Sequence, residues 1–134
     1  MPVYSHGMPV GTPAPDFDLP AVDGQRYALN DFNASKVLVV IFTCNHCPYA
    51  IAVEDRIVAL ANAYKGKSVS FVAINSNDAV TYPDDAFDKM VTRARDKAFP
   101  FPYLHDESQA VARAYDAACT PDIFVFNAAR QLQY

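Results

Sequence analysis

Val37-Leu38-Val39-Val40-Ile41-Phe42-Thr43-Cys44-Asn45-His46-Cys47-Pro48 is the stretch on which the fold turns. Val37–Phe42 is apolar at every position, without the alternation of a half-solvated strand. It reads as a strand buried on both faces, central in a covered sheet. Pro48 suits an early position of a helix, where its missing N–H would have no partner anyway. The two cysteines, three residues apart, then lie at a strand-to-helix junction. The positive end of the helix favours a thiolate over a thiol there. Thiol–disulfide exchange needs that arrangement.

On the C-terminal side, Val53, Ile57, Leu60, Ala61 and Tyr64 fall on one stripe of a helix, with Glu54, Asp55, Arg56 and Asn62 off it. Gly66 is placed to stop the helix. Val69–Ile74 is a second β-rich run. Pro83-Asp84-Asp85 opens a second helix, since proline and acids suit a first turn. Its buried stripe is Phe87, Met90, Val91, Ala94 and Ala98. Asp106 and Gln109 resemble a capping box for a short helix through Tyr115. Ile123–Phe126 is a third strand, and Asn127 to Arg130 a hairpin turn into a strand that begins at Gln131 and is cut off at Tyr134. On the N-terminal side, residues 1–25 are rich in proline and glycine and read as an extended arm with a turn at Asp23-Gly24. A short strand from Gln25 to Leu29 follows. A strand–helix–strand crossover is right-handed, so its two strands are parallel. The terminal hairpin is antiparallel, which gives an α/β fold: a mixed sheet with helices on both faces.

The chain of 134 residues is one domain, 51% hydrophobic and 19% charged, a composition that excludes disorder. A net charge of −4 leaves no basic footprint for nucleic acid. No apolar run reaches membrane-spanning length. Residues 1–7 show no basic stretch leading into an apolar one, so a signal peptide is not visible and a cytoplasmic location is expected. Three cysteines are too few and too unevenly spaced for a disulfide framework. In a reducing compartment such a pair is catalytic or metal-binding rather than structural.

Four segments together resemble the redoxin branch of the thioredoxin fold, which includes the alkyl hydroperoxide reductase/thiol-specific antioxidant proteins and TlpA-like thiol oxidoreductases. Gly11-Thr12-Pro13-Ala14-Pro15-Asp16-Phe17-Asp18-Leu19 is similar to the branch's G-x-x-A-P-x-F-x-L opening. Asp23-Gly24 and Leu29-Asn30-Asp31-Phe32 resemble its next turn and L-x-D-F segment. Cys44 and Cys47 stand where thioredoxin-like proteins place C-x-x-C. Thr120-Pro121, ahead of Ile123–Phe126, is similar to their cis-proline before a strand. There are departures. Thr43 replaces the tryptophan common before the first cysteine. Peroxiredoxins place threonine three residues before the peroxide-attacking cysteine, whereas Thr43 is adjacent to Cys44 and four before Cys47. The resemblance also implies a completed last strand and a C-terminal helix, whereas the sequence stops at Tyr134, so either it is truncated or the final helix is missing. One sheet face is therefore expected to lie partly uncovered, which favours a homodimer.

On this resemblance Cys44 is the nucleophile, an exposed sulfur nearest the helix end, and Cys47, more buried, resolves the mixed disulfide. His46 follows a C-x-H-C pattern seen in thiol oxidants of the fold; an imidazole near Cys44 favours its thiolate and makes the disulfide more oxidising. Pro121 faces the cysteines and presents the Thr120 backbone to an extended substrate. Cys119, just before, is an auxiliary thiol or a small buried hydrophobe. Glu54 falls on the polar flank of its helix, so no buried proton-shuttling carboxylate is identifiable. The reading that results is a thiol–disulfide oxidoreductase with no organic cofactor and no metal. It acts on protein or small-molecule disulfides and draws electrons from an external thiol reductant, with neither nucleic acid nor membrane as partner. A thiol peroxidase, with Cys44 oxidised to the sulfenic acid, is the alternative enzyme. A metal- or protein-binding module on the same fold, or an inert buried pair, is the alternative without catalysis; zinc would need ligands beyond Cys44, Cys47 and His46.

Overall fold

The computed structural model describes residues 8–45, 48–117 and 121–134. Its centre is β3 (Val37–Phe42), flanked by β4 (Val69–Asn75) and β6 (Asp122–Phe126) in a sheet of order β5-β4-β3-β6, with β5 (Tyr103–His105) at the edge. The pair β3–β4 is parallel, as the crossover rule requires, and β3–β6 antiparallel. Every residue of β3 after Val37 is buried, which is why the run carries no polar alternate. Phe17, Phe32, Leu38, Val40, Phe42, Tyr115, Phe124 and Phe126 fill one face. Val39, Ile41, Ala61 and Phe71 fill the other, with Ile57 and Val125 packed against them.

The connections are α1 (Pro48–Ala63), α2 (Phe87–Asp96) and the short α3 (Ala110–Ala114). The N-terminal segment is more than an arm. It forms a small hairpin of β1 (Asp18–Pro20) and β2 (Arg26–Ala28), turned at Asp23-Gly24, with Gly24 at φ +85°. Ala21 bridges Leu104 and covers the β5 edge, and Pro13 bridges Gln131. Phe17 and Ala21 are buried in the core. The Arg130 guanidinium donates to the carbonyls of Phe32, Ser35 and Asn127 and closes the amino-terminal end of β3.

Three expectations change. Pro83–Asp85 is a separate 3-10 turn, because Ala86 is extended (ψ 152°) and breaks it from α2; Asp85 points inward instead of into solvent. The residues α1 buries are Ala50, Glu54 and Ala61, with Ile57 half-buried, while Leu60 and Tyr64 of the predicted stripe stay 49% and 43% exposed. Small alanines let the helix approach the sheet closely, and Glu54 is tolerated inside because Arg93 of α2 meets it. Asp106 does cap α3, but through the Ala112 N–H at 2.9 Å, while Gln109 adopts φ 65° and no reciprocal box forms. Strands β1 and β5 have no counterpart in the sequence reading. After Phe126 the chain makes the expected turn and Leu132 bridges back to Phe126. Among the described residues no helix follows.

Candidate active site

The carboxyl ends of β3, β4 and β5 converge on one end of the sheet, the end where open α/β sheets bind ligands. Cys44 stands there, past the end of β3, and α1 begins at Pro48. The expected strand–cysteine–helix junction is present. Antiparallel pairing sets Phe42 opposite Asp122, so the next residue on each side, Thr43 and Pro121, come side by side. Pro121 is half-buried. The register thus carries Cys44 and Pro121 to the same end of the sheet. His46, Cys47, Cys119 and Thr120 lie outside the described residues.

Cys44 is 1% exposed, where an exposed sulfur was expected. The residue after it is anchored to the sheet end. Asn45 is drawn down onto the sheet end by three hydrogen bonds. Its N–H donates to Asp85 Oδ1 at 2.6 Å, its Nδ2 donates to the Asp84 carbonyl at 2.8 Å, and its Oδ1 accepts from the Tyr103 hydroxyl at 2.9 Å. Asp85, 0% exposed, also accepts from Asn75 Nδ2 at 2.9 Å and from Asn77 Nδ2 at 3.2 Å. Asn75 Nδ2 donates as well to the Tyr103 oxygen at 3.1 Å. Burial pushes the Tyr103 hydroxyl well above its ordinary range; the Asn75 donor opposes this and the Asp85 charge adds to it. Tyr103 therefore stays a donor throughout the neutral range. A buried carboxylate with several donors is a charge-assisted, cooperative network, stable only while every member is satisfied.

None of Asn45, Asn75, Asp85 or Tyr103 was singled out from sequence as part of a site. A signal was present: Asn75 and Asn77 come at the end of the β-rich run Val69–Ile74, and polar groups at that end of a buried strand face the site. Glu54, expected on a solvated flank, is buried and paired with Arg93 at 3.0 and 2.9 Å. It lines a cavity of about 10 Å³ with Thr43, Ala50 and Ala73, the smallest space that holds one water. Its charge is committed to the guanidinium, so it is an ion-paired carboxylate rather than a free base.

The AhpC/TSA family profile matches residues 10–134, nearly the whole chain. The chain belongs to the AhpC/TSA family. Among solved structures, this AhpC/TSA chain is similar to an uncharacterised conserved protein of Geobacillus kaustophilus: 48% identity, TM-score 0.96, covering 100% of this chain and 72% of that one. It is also similar to a hypothetical protein of Sinorhizobium meliloti: 39% identity, TM-score 0.93, covering 95% of this chain and 69% of that one. A thioredoxin-family thiol:disulfide interchange protein of Chlorobium tepidum shares the fold, with TM-score 0.78 at 18% identity, over 92% of this chain and 83% of that one. No curated protein matches the chain. The fold is thioredoxin-like, and membership in the family carries thiol-based redox chemistry. No helix is long and apolar enough to cross a membrane among the described residues.

Proposed function

We propose that this AhpC/TSA protein is a thiol–disulfide oxidoreductase of the cytoplasm. The supporting observation is the junction itself: Cys44 directly past the buried strand β3, with Pro121 beside Thr43 and a helix beginning at Pro48. The Cys44 thiolate attacks one sulfur of a substrate disulfide, forming a mixed disulfide and releasing one substrate thiolate. The Cys47 thiolate then attacks the Cys44 sulfur and releases the second. Two electrons pass to the substrate, and an external dithiol restores the pair. His46 stabilises the Cys44 thiolate, Thr120 and Pro121 dock the substrate chain, and Cys119 is an auxiliary thiol.

Glutathione redox titration, quenched by alkylation and read by site-resolved mass spectrometry, tests the proposal. The expected outcome is a reversible Cys44–Cys47 disulfide with a potential between about −270 and −120 mV, the span of known exchangers. Absence of that disulfide at every poise would sink it. Family membership favours a second reading, a thiol peroxidase in which peroxide converts Cys44 to the sulfenic acid and Cys47 condenses with it, releasing water. The misplaced Thr43 counts against it, and peroxide consumption with a thiol donor separates the two.

A further inference from the structure

We infer that the outer edge of β4 at Val69–Phe71 is a docking slot for an extended polypeptide segment that carries an apolar side chain and a carboxylate. The slot lies at the amino-terminal end of the sheet, opposite Cys44, and stands apart from the redox reading.

The two neighbours of β4 fix which way its backbone groups point. Val37 N–H donates to the Ser68 carbonyl and Thr43 N–H to the Ile74 carbonyl, so the even-numbered residues face β3. Ala73 N–H donates to the Pro102 carbonyl at 3.0 Å, and the Asn75 carbonyl accepts from the Asp106 N–H at 2.9 Å, so the odd-numbered residues face the other edge. Strand β5 pairs with that edge only along Ala73–Asn75. One rung lower, the Phe71 carbonyl would accept from the N–H of residue 102, but that residue is proline and has none. Among the described residues, neither the N–H nor the carbonyl of Phe71 has a hydrogen-bond partner. Phe71 is nonetheless only 7% exposed, and backbone groups buried this far are nearly always paired.

Phe71 lines a cavity of about 190 Å³. The walls come from both sides of the sheet: Phe32 belongs to the core on one side, and Ala61 and Phe101 pack on the other. The cavity therefore lies along the strand edge, in the plane where a further strand would run. A peptide unit brings an acceptor and a donor together, which answers both groups of Phe71, whereas a simple anion brings only the acceptor. Phe71, Phe101, Pro100 and Pro102 suit an apolar side chain. Lys65 is the only charged residue among the described lining residues, so a carboxylate is the complementary charge.

Amide NMR of the isotope-labelled protein tests this with short peptides blocked at both ends. One mixture alternates valine, leucine or isoleucine with glutamate; a second has lysine in place of glutamate. In the free protein the Phe71 amide should exchange with solvent faster than those of Val72 and Ala73, which are tied into the sheet. The glutamate peptides should shift the amides of residues 69–71, slow exchange at Phe71, and bind several-fold more tightly than the lysine peptides. Lys65→Glu, at an exposed turn, should reverse that preference. The glutamate peptides methylated at every backbone nitrogen should lose the protection at Phe71. No peptide-dependent shift at residues 69–71 at millimolar concentration would overturn the inference and leave an edge guarded by its prolines. Equal binding of both mixtures would remove the carboxylate, and protection by the methylated peptides would reduce the site to apolar adsorption. Shifts at these residues that grow with protein concentration alone would give the slot to a second copy of the chain instead.

Discussion

Tyr103 and Tyr115 show how single residues set the working range of this protein. Tyr103 hands its hydroxyl hydrogen to Asn45 Oδ1, and Tyr115 hands its own to the Pro15 carbonyl at 2.7 Å, pinning the N-terminal segment. Both hydroxyls are held well above the ordinary tyrosine value of 10.0, chiefly by loss of solvent on burial. A raised value in the folded chain means that the unfolded chain ionises first. The stability these groups contribute is therefore complete below about pH 10 and is lost as pH rises beyond it. The part of the phenolate absorbance that Tyr103 and Tyr115 contribute, read as the difference from their phenylalanine variants, should appear together with loss of tertiary signal rather than ahead of it. Tyr115→Phe should lower stability at neutral pH by about 1 kcal/mol, the worth of one hydrogen bond, and should soften the alkaline decline. Phenolate formation at Tyr103 or Tyr115 in a chain still fully folded would contradict this. At the same scale the site was half legible. Cys44 and Pro121 announce themselves, since a cysteine pair at a strand end and Thr-Pro before a strand are local signals. Asn45 and Asp85, forty residues apart, meet only through tertiary structure, so nothing local marks either.

Among the elements, the contact of α1 with α2 is the one whose failure is easiest to forecast. Glu54 and Arg93 form a two-point ion pair with side chains only 10% and 23% exposed. Removing one partner of such a pair leaves the other buried and uncompensated, whereas removing both is often neutral. Arg93→Met should cost about 2–3 kcal/mol in urea unfolding, tempered by Lys97 Nζ at 3.9 Å from the same carboxylate. The double variant Glu54→Met/Arg93→Met should recover most of that loss. Additive losses would show that the pair carries no coupling. The pair also explains what periodicity misreads in α1. The helix presents more apolar residues than one face holds, so counting spacing alone assigns Leu60 and Tyr64 inward and Glu54 outward. The guanidinium of another helix reverses the choice. Strands β3, β4 and β6 were legible because each is a dense apolar run. Strands β1 and β5 were not, because at three residues each they carry no pattern of their own: β1 is held by its hairpin partner β2 and β5 by β4, distant in sequence. Tyr103–His105 is defined by β4 on one side and Ala21 on the other.

At the scale of the whole molecule, the two sides of the sheet are not finished alike. On one side the N-terminal hairpin segment, Tyr115 and the Phe32 turn close over a continuous aromatic core. On the other, Ile123 stands opposite Ile41 in register and on the same side as Val125, yet remains 37% exposed. Leu60 of the helix that packs on that side, and Tyr64 just past its end, are exposed as well. Apolar groups left at a sheet margin and along one helix flank favour association, because burial stabilises by about 25 cal/mol for each Å² removed from water. A second copy of the chain offers the same surface, and a two-fold interface needs only self-complementarity. The expected outcome is a monomer–dimer equilibrium in sedimentation velocity, shifted toward monomer by Ile123→Lys or Leu60→Glu with the redox titration unchanged. That separation follows from the layout: Cys44 stands at the carboxyl end of the sheet, while Ile123 and Leu60 lie on its flank. A protein that stays monomeric at high micromolar concentration would show instead that this margin is tolerated in water, as scattered surface hydrophobes commonly are.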